Sequence, residues 1–212
     1  MLPSEKQLLV NDLNNQFRHH GATHVVDAAL KHGVLGQVAM VSSFGAGSAA
    51  LLHLIAITLP DTPVLFIDTN MLFVETLIYQ SDLAEQLGLK NLRILRADPA
   101  TIAKHDPNNT LHKDAPDTCC HVRKTSVLKN ALVPFDGWIT GRKRYHGNQR
   151  AKPEFFEYDA PNDKFKINPL AHWRVEDVAD YFAANNLPPH PPCFEGLSIN
   201  RRQALHSSSG DR

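Results

Sequence analysis

The sequence predicts an α/β fold in which a parallel sheet is flanked by helices on both faces. Two observations lead to this prediction. Short apolar runs, suited to buried strands, alternate along the chain with longer segments whose apolar residues recur at helical spacing. The 212 residues are also enough for one domain of this class with its own core. In such sheets, ligands bind beyond the carboxyl ends of the strands.

Four segments show apolar residues spaced for one face of a helix. Residues 5–33 form the first, and we expect Gly21 to divide it into two helices. The other three are residues 48–58, 73–87 and 175–182. Each lies between predicted strands or after the last one, as the alternating pattern requires.

Five short apolar runs predict the strands. They cover residues 37–41, 63–69, 92–96, 137–141 and 165–170. We interpret residues 97–124 as a long loop. Because the strands are expected to be parallel, the loops at 42–48, 68–75 and 138–150 should converge on one cleft.

The overall charge excludes several classes of function. The chain has 22 basic and 22 acidic residues, so it offers no broad surface for nucleic acid or membrane. No apolar run reaches the length of a membrane span, and the first residues lack the pattern of a signal peptide. Three cysteines, two of them adjacent, do not make a disulfide framework, which favours a cytoplasmic location.

The segment from Ser42 to Ser48 joins a predicted strand to a predicted helix. It contains Ser42, Ser43, Gly45 and Ser48, and its small residues let the backbone approach a ligand. Free amides at the start of the helix favour an anion there. No Lys-Ser/Thr pair follows, so this is not a Walker loop. The alternative is a turn that is tight for steric reasons only.

Cys119 and Cys120 are adjacent, and Arg123 and Lys124 follow them closely. A disulfide between neighbouring cysteines is strained, so we interpret the pair as a site for a metal or cluster near an anion. The alternative is two small buried residues at the start of a helix, since free cysteine is often buried.

Ordered motifs across residues 42–191 resemble those of the assimilatory adenylyl-sulfate (APS) and phosphoadenylyl-sulfate (PAPS) reductases. They are Ser-Ser-Phe-Gly-x-x-Ser at 42–48, Asp-Thr-x-x-x-Phe-x-Glu-Thr at 68–76, Cys-Cys-x-x-Arg-Lys at 119–124, Trp-Ile-Thr-Gly-x-Lys-Arg at 138–144, Asn-Pro-Leu-x-x-Trp-x-x-x-Asp-Val at 168–178 and His-Pro at 190–191. The resemblance implies the adenine-nucleotide α-hydrolase-like fold with a modified PP-loop. The related ATP pyrophosphatases carry an Asp where this chain has Gly47, which argues against cleavage of ATP to pyrophosphate.

The resemblance also implies a set of substrate-binding residues. Loop residues would hold the nucleotide, while Arg123 and the other Arg and Lys side chains of the motifs would offset charge on the departing phosphate. For any single cation, the alternative is a solvated surface charge, and for Asp68 and Thr69 it is a helix cap. The implied set is Ser42, Ser43, Phe44, Gly45, Ser48, Asp68, Thr69, Lys124, Lys143, Arg144 and Arg150.

In the resembled family, an adjacent cysteine pair and a later Cys-x-x-Cys bind a [4Fe–4S] cluster in the forms that use adenylyl sulfate. The resemblance therefore implies Cys119 and Cys120 as two cluster ligands. The family's C-terminal motifs are not recognisable after residue 191. We expect residues 1–191 to form a nucleotide-binding reductase domain and 192–212 a divergent, disordered tail.

This tail matters for the expected activity. The third cysteine is Cys193, so the ligand set for the cluster is incomplete and the family's C-terminal nucleophilic cysteine is not present in the chain. The resemblance implies reduction of adenylyl sulfate to sulfite and AMP, with thioredoxin or glutaredoxin as reductant, and we expect the divergent tail to impair this activity. A homo-oligomer is possible.

Three alternatives stay open. The first is a PAPS reductase, the second an ATP-pyrophosphatase-like or sulfurylase-like enzyme, and the third a non-catalytic nucleotide-binding remnant.

Overall fold

The computed structural model describes residues 1–45, 47–144 and 153–191. Two helices open the chain, α1 (Pro3–Phe17) and α2 (Ala22–Leu30), and Gly21 lies between them in an extended conformation. The predicted division at Gly21 is therefore confirmed. None of the helices in these described ranges combines the length and apolar character needed to cross a bilayer.

Within the described residues, six strands form one sheet in the order β3-β2-β1-β4-β6-β5. Five of them run parallel, and β5 pairs with β6 in the antiparallel direction. The predicted parallel sheet is confirmed, with one antiparallel edge added. The strands are β1 (Val38–Ser42), β2 (Val64–Ile67), β3 (Leu92–Leu95), β4 (Gly137–Ile139), β5 (Phe156–Asp159) and β6 (Lys164–Ile167).

Strand β5 is absent from the prediction because its half-polar sequence, Phe-Glu-Tyr-Asp, lacks the apolar character of the buried strands. Among the described strands it lies at the edge of the sheet and pairs with β6 alone. Asn14 of α1 completes the other side by donating 2.8 Å to the carbonyl of Phe156 and accepting 3.0 Å from its N–H. One amide side chain thus takes the place of a neighbouring strand.

Three further helices agree with the prediction. They are α3 (Ser48–Thr58), α4 (Val74–Gln86) and α9 (Val175–Ala184). The predicted loop at 97–124 is wrong, because most of this segment is helical. It contains α5 (Pro99–His105), α6 (Leu111–Asp114), α7 (Pro116–Cys120), a π-helical turn (His121–Thr125), and then α8 (Ser126–Ala131).

The core lies between the sheet and the helices on both faces. Central strands are buried on both sides, and Gly137 of β4 shows how closely they approach. A Cβ on Gly137 would lie 2.5 Å from the carbonyl oxygen of Phe165 on β6. Close strand contact, not an unusual backbone angle, therefore requires glycine at this position.

Candidate functional site

The order in which strands are added to the sheet reverses between β1 and β4. The chain runs outward from β1 through β2 to β3, and then returns to place β4 on the other side of β1. Ligands of open parallel sheets bind at such a switch point, beyond the carboxyl ends of the strands. The loops after Ser42 and after Ile139 border it, so the predicted convergence of these loops is confirmed for the described residues.

The phosphate loop after β1 is anchored by Phe44. Its side chain is fully buried and packs edge-on against Phe66 at 5.3 Å, while its backbone is left-handed, with φ of 51°. The N–H of Phe44 donates to the Ser42 hydroxyl at 3.1 Å. The Phe44 ring is therefore a core anchor, and only its backbone can face a ligand. Ser43 is exposed, and Gly45 and Ser48 are half-buried.

Lys143, in the loop after β4, lies directly against the phosphate loop. Its residue is only 3% exposed, and a Cβ placed on Gly47 would lie 3.0 Å from its Nζ. The Nζ donates to the carbonyl of Gly141 at 3.3 Å. Burial lowers the pKa of Lys143 to about 8. A buried ammonium beside the start of α3 can stabilise an anion bound there.

Arg144 follows Lys143 but its guanidinium is already engaged. It donates to Glu154 at 2.8 Å and to the carbonyl of Pro153 at 3.2 Å. Glu154 also faces His172 at 3.7 Å. To contact a substrate phosphate, Arg144 would have to exchange Glu154 for the ligand. Arg150 lies outside the described residues.

Asp68 and Thr69 follow β2 at the same edge of the sheet. The Asp68 side chain is buried, and its carboxylate accepts 2.9 Å hydrogen bonds from the N–H of Asn70 and from Arg96. Asn70 is left-handed, with φ of 58°, so Asp68 stabilises a tight turn. Its oxygens thus have partners within the protein, and Thr69 is the member of this pair that lines an open cavity.

Arg123, implied as one of the cations for the departing phosphate, is engaged within the protein instead. It donates to Asp106 at 2.7 Å, to Asn109 at 2.8 Å and to the carbonyl of Thr69 at 3.1 Å. These contacts join the π-helical turn to the loop before α6 and to the loop after β2. Nothing local in the sequence connects Arg123 to Asp106, because they are 17 residues apart.

The cysteine pair opens onto a cavity of about 220 Å³. Cys119 is buried and Cys120 is exposed. Burial raises the pKa of the Cys119 thiol, and the nearby Arg123 guanidinium opposes that shift. Lys124 is exposed, as a solvated cation would be, but it also lines this cavity. The full lining is Thr69, Met71, His112, Pro116, Cys119, Cys120, Arg123 and Lys124.

The described residues do not complete a site for an iron–sulfur cluster. A [4Fe–4S] cluster normally takes four thiolates, and this part of the chain supplies two. Within the described ranges, no group of three or more His, Cys, Asp or Glu side chains could hold a metal ion. His112 Nδ1 and Arg123 Nε belong to residues that line this cavity, and both atoms are buried without a hydrogen-bond partner among the described residues. Cys193 lies outside the described residues.

Sequence comparisons connect this geometry with known proteins. A family model described as the phosphoadenosine phosphosulfate reductase domain matches residues 37–199. An adenosine 5'-phosphosulfate reductase of Chelativorans sp. (strain BNC1) is 39% identical over 199 residues, covering 93% of this chain and 80% of the relative. The enzyme of that name from Mesorhizobium japonicum is 39% identical over 88% of this chain and 73% of its own length.

A phosphoadenosine 5'-phosphosulfate reductase of Xanthomonas axonopodis pv. citri is also similar, at 35% identity over 87% of this chain and 77% of its own length. Among solved structures, phosphoadenylyl-sulfate reductase from Candida auris has a TM-score of 0.72 at 21% identity, covering 85% of this chain and 87% of its own. The U34-tRNA thiolase NcsA from Methanococcus maripaludis has a TM-score of 0.53 at 17% identity, covering 84% and 67%. These structures share the fold of this chain.

Proposed function

The chain belongs to the phosphoadenosine phosphosulfate reductase family, and we propose that it reduces adenylyl sulfate to sulfite and AMP. The observation that carries this proposal is the buried Lys143 ammonium, which lies against Gly47 in the phosphate loop at the switch point of the sheet. That position suits the anionic group of a nucleotide. The 39% identical relatives named adenosine 5'-phosphosulfate reductase support the choice of substrate.

In its first step, the reaction forms one bond to sulfur and breaks another. A cysteine thiolate attacks the sulfur of the phosphate–sulfate anhydride, and the S–O bond to the phosphate breaks, so AMP leaves with the electron pair. The resulting S-sulfocysteine is cleaved by a dithiol such as reduced thioredoxin or glutaredoxin, which releases sulfite and becomes a disulfide. The resemblance implies a C-terminal cysteine as the nucleophile.

The protein's own task is to hold the nucleotide and to offset the charge that develops on the departing phosphate. Lys143 and the N-terminus of α3 meet an anion on the phosphate loop. Lys124, which lines the cavity beside the cysteines, would interact with the sulfate end. Arg144 would join them by leaving Glu154. Ser43, Gly45 and Ser48 would contact the nucleotide itself.

We further propose residues 1–191 as the nucleotide-binding reductase domain, and the reducing cytoplasm as its location. Cys119 and Cys120 are proposed as two thiolates of a [4Fe–4S] cluster, whose other ligands would come from outside the described residues. Residues 192–212 lie outside the described part of the chain.

Binding of the substrate can be tested by titration calorimetry. We expect adenylyl sulfate and AMP to bind more tightly than ATP with magnesium, because the loop has Gly47 in place of an acidic residue. PAPS is the comparison ligand, since a PAPS reductase is also similar to this chain. Tighter binding of PAPS than of adenylyl sulfate would transfer the proposal to PAPS, and a preference for ATP would contradict both.

Turnover can be tested by sulfite release with reduced thioredoxin. Two proteins are compared. One is the 212-residue chain, and the other carries, from Ile199 onward, a tail with the Glu-Cys-Gly-Leu-His motif that the family resemblance implies; Ile199 lies outside the described residues. Release that depends on the added cysteine would assign the nucleophile to that ending. If neither protein releases sulfite while both bind the nucleotide, the chain is a nucleotide-binding protein and the reductase proposal is wrong.

A further inference from the structure

Gly47 has no backbone reason to be glycine. Its φ of −99° and ψ of 5° are open to other residues, and it forms the N-cap of the 11-residue helix α3. The space where its side chain would lie is instead taken by Lys143, whose Nζ is 3.0 Å and whose Cε is 4.0 Å from an ideal Cβ. The missing side chain at position 47 therefore makes room for the ammonium.

The ammonium occupying that space lacks a counterion among the described residues. Its hydrogen bond there is to the neutral carbonyl of Gly141, at 3.3 Å, and no ion pair to Lys143 occurs in that part of the chain. Lys143 is only 3% exposed to solvent. The partial positive charge at the N-terminus of α3 lies beside the ammonium and increases the local positive potential. A buried charge without a partner is unfavourable unless an anion completes it.

We propose that Gly47 and Lys143 form a matched pair that determines the charge of the anion subsite, so that the identity of residue 47 decides whether the ammonium is available to a phosphate or sulfate group. This inference deepens the proposed function and rests on it for the identity of the nucleotide. An acidic side chain at position 47 would form an internal ion pair with Lys143. An amide of the same shape would leave the ammonium free.

The test uses inorganic sulfate as the probe and NMR of protein labelled with ¹³C-lysine. The chemical shift of the Lys143 Cε is followed against pH with and without sulfate, and Lys143→Met identifies the resonance. In the unmodified protein, we expect sulfate to raise the pKa of Lys143 by at least about half a unit. No response to sulfate in the unmodified protein would overturn the proposal without reference to any variant.

The matched variants are Gly47→Asp and Gly47→Asn, which differ in charge but hardly in shape. In Gly47→Asp the pKa of Lys143 should already be raised by at least about one unit, and sulfate should add nothing. Gly47→Asn should keep most of the sulfate response. Equal behaviour of the two variants would show that volume, not charge, matters at position 47, and would contradict the proposal.

This experiment is separable from the test of the reductase. A clear response to sulfate, lost in Gly47→Asp and kept in Gly47→Asn, supports the matched pair even if calorimetry detects no binding of AMP or adenylyl sulfate. That combination would contradict the proposed substrate alone. Tight binding of adenylyl sulfate with no change in the Lys143 titration would instead support the substrate and overturn the pair.

Discussion

Arg123 donates a 2.7 Å hydrogen bond to the carboxylate of Asp106, and the two side chains are only 4% and 1% exposed. The same guanidinium reaches the carbonyl of Thr69 on the loop after β2. Hydrogen bonding from Arg123 holds the pKa of Asp106 below its usual value. The π-helical turn that follows α7 and its cysteine pair is thereby held against the carboxyl end of β2.

Replacing Arg123 by Met should destabilise the protein strongly, because it leaves the buried Asp106 carboxylate without its charged partner. We expect the melting temperature to fall by roughly 10 °C. The measurement is thermal unfolding followed by circular dichroism.

Arg174→Met is the matched control. Arg174 pairs with Asp177 at 3.1 Å, but its side chain is 74% exposed. Because exposed ion pairs contribute little, we expect a change of less than about 3 °C. Similar losses in the two variants would show that burial of the Arg123 pair has no special importance.

Phe44→Ala should lower the free energy of unfolding by about 3–5 kcal/mol, since it removes a fully buried ring that packs on Phe66. Urea denaturation measures the change. Phe73→Ala removes the same ring from a position that is 47% exposed, and it should cost less than about 1 kcal/mol. A small loss at Phe44 would mean that the ring does not anchor the phosphate loop.

The affinity for AMP should fall as pH rises through about 8, because burial lowers the pKa of Lys143 to about 8 and only the ammonium attracts the phosphate. Between about pH 7.5 and 9.5 the Kd should increase roughly 20-fold if binding requires the charged form. Calorimetry at several pH values measures this dependence.

The same shift has a defined effect on stability. The folded protein disfavours the charged Lys143, so this penalty to folding stability is fully present below about pH 8 and is relieved as pH rises toward the usual pKa of lysine.

Lys143→Arg is the control for the pH dependence of AMP binding, since arginine stays charged over this range. A Kd that rises equally with pH in that variant would assign the dependence to another group.

In iron-free protein, Cys120 should be alkylated at least about tenfold faster than Cys119. Cys120 is exposed, whereas Cys119 is buried and its pKa is raised, which lowers the fraction of reactive thiolate. A time course with iodoacetamide near neutral pH, with peptide mass spectrometry, gives both rates. Faster labelling of Cys119 would contradict the described arrangement of the pair.

Apolar periodicity was sufficient to predict the elements of the sheet's centre. The helix predicted at 48–58 has the bounds Ser48–Thr58 in the structure, because its apolar residues fill several turns between a loop and a strand. The strand Val64–Ile67 was equally predictable, because three of its four residues are buried and apolar. Where a segment lies fully in the core, its pattern of apolar residues predicts whether it is a helix or a strand.

The site was less predictable, because its side chains meet across long separations. The helices α5 to α7 are four to seven residues long, too short to show a helical period. The motifs of the resembled family implied the phosphate loop and Lys143 as site residues, but no local pattern indicated that Arg123 would pair with Asp106. Nor did any pattern show that Glu154 would hold Arg144, or that Arg96 would hold Asp68.

The paired hydrogen bonds between Asn14 and the backbone of Phe156 bear on how copies of this protein could assemble. An edge strand with free N–H and C=O groups is a template for a strand from another molecule. At Phe156 both groups are already satisfied by α1, so a second chain could add to β5 there only by displacing that helix. Asn14→Ala would uncover the template, and a rise in aggregation would be its consequence.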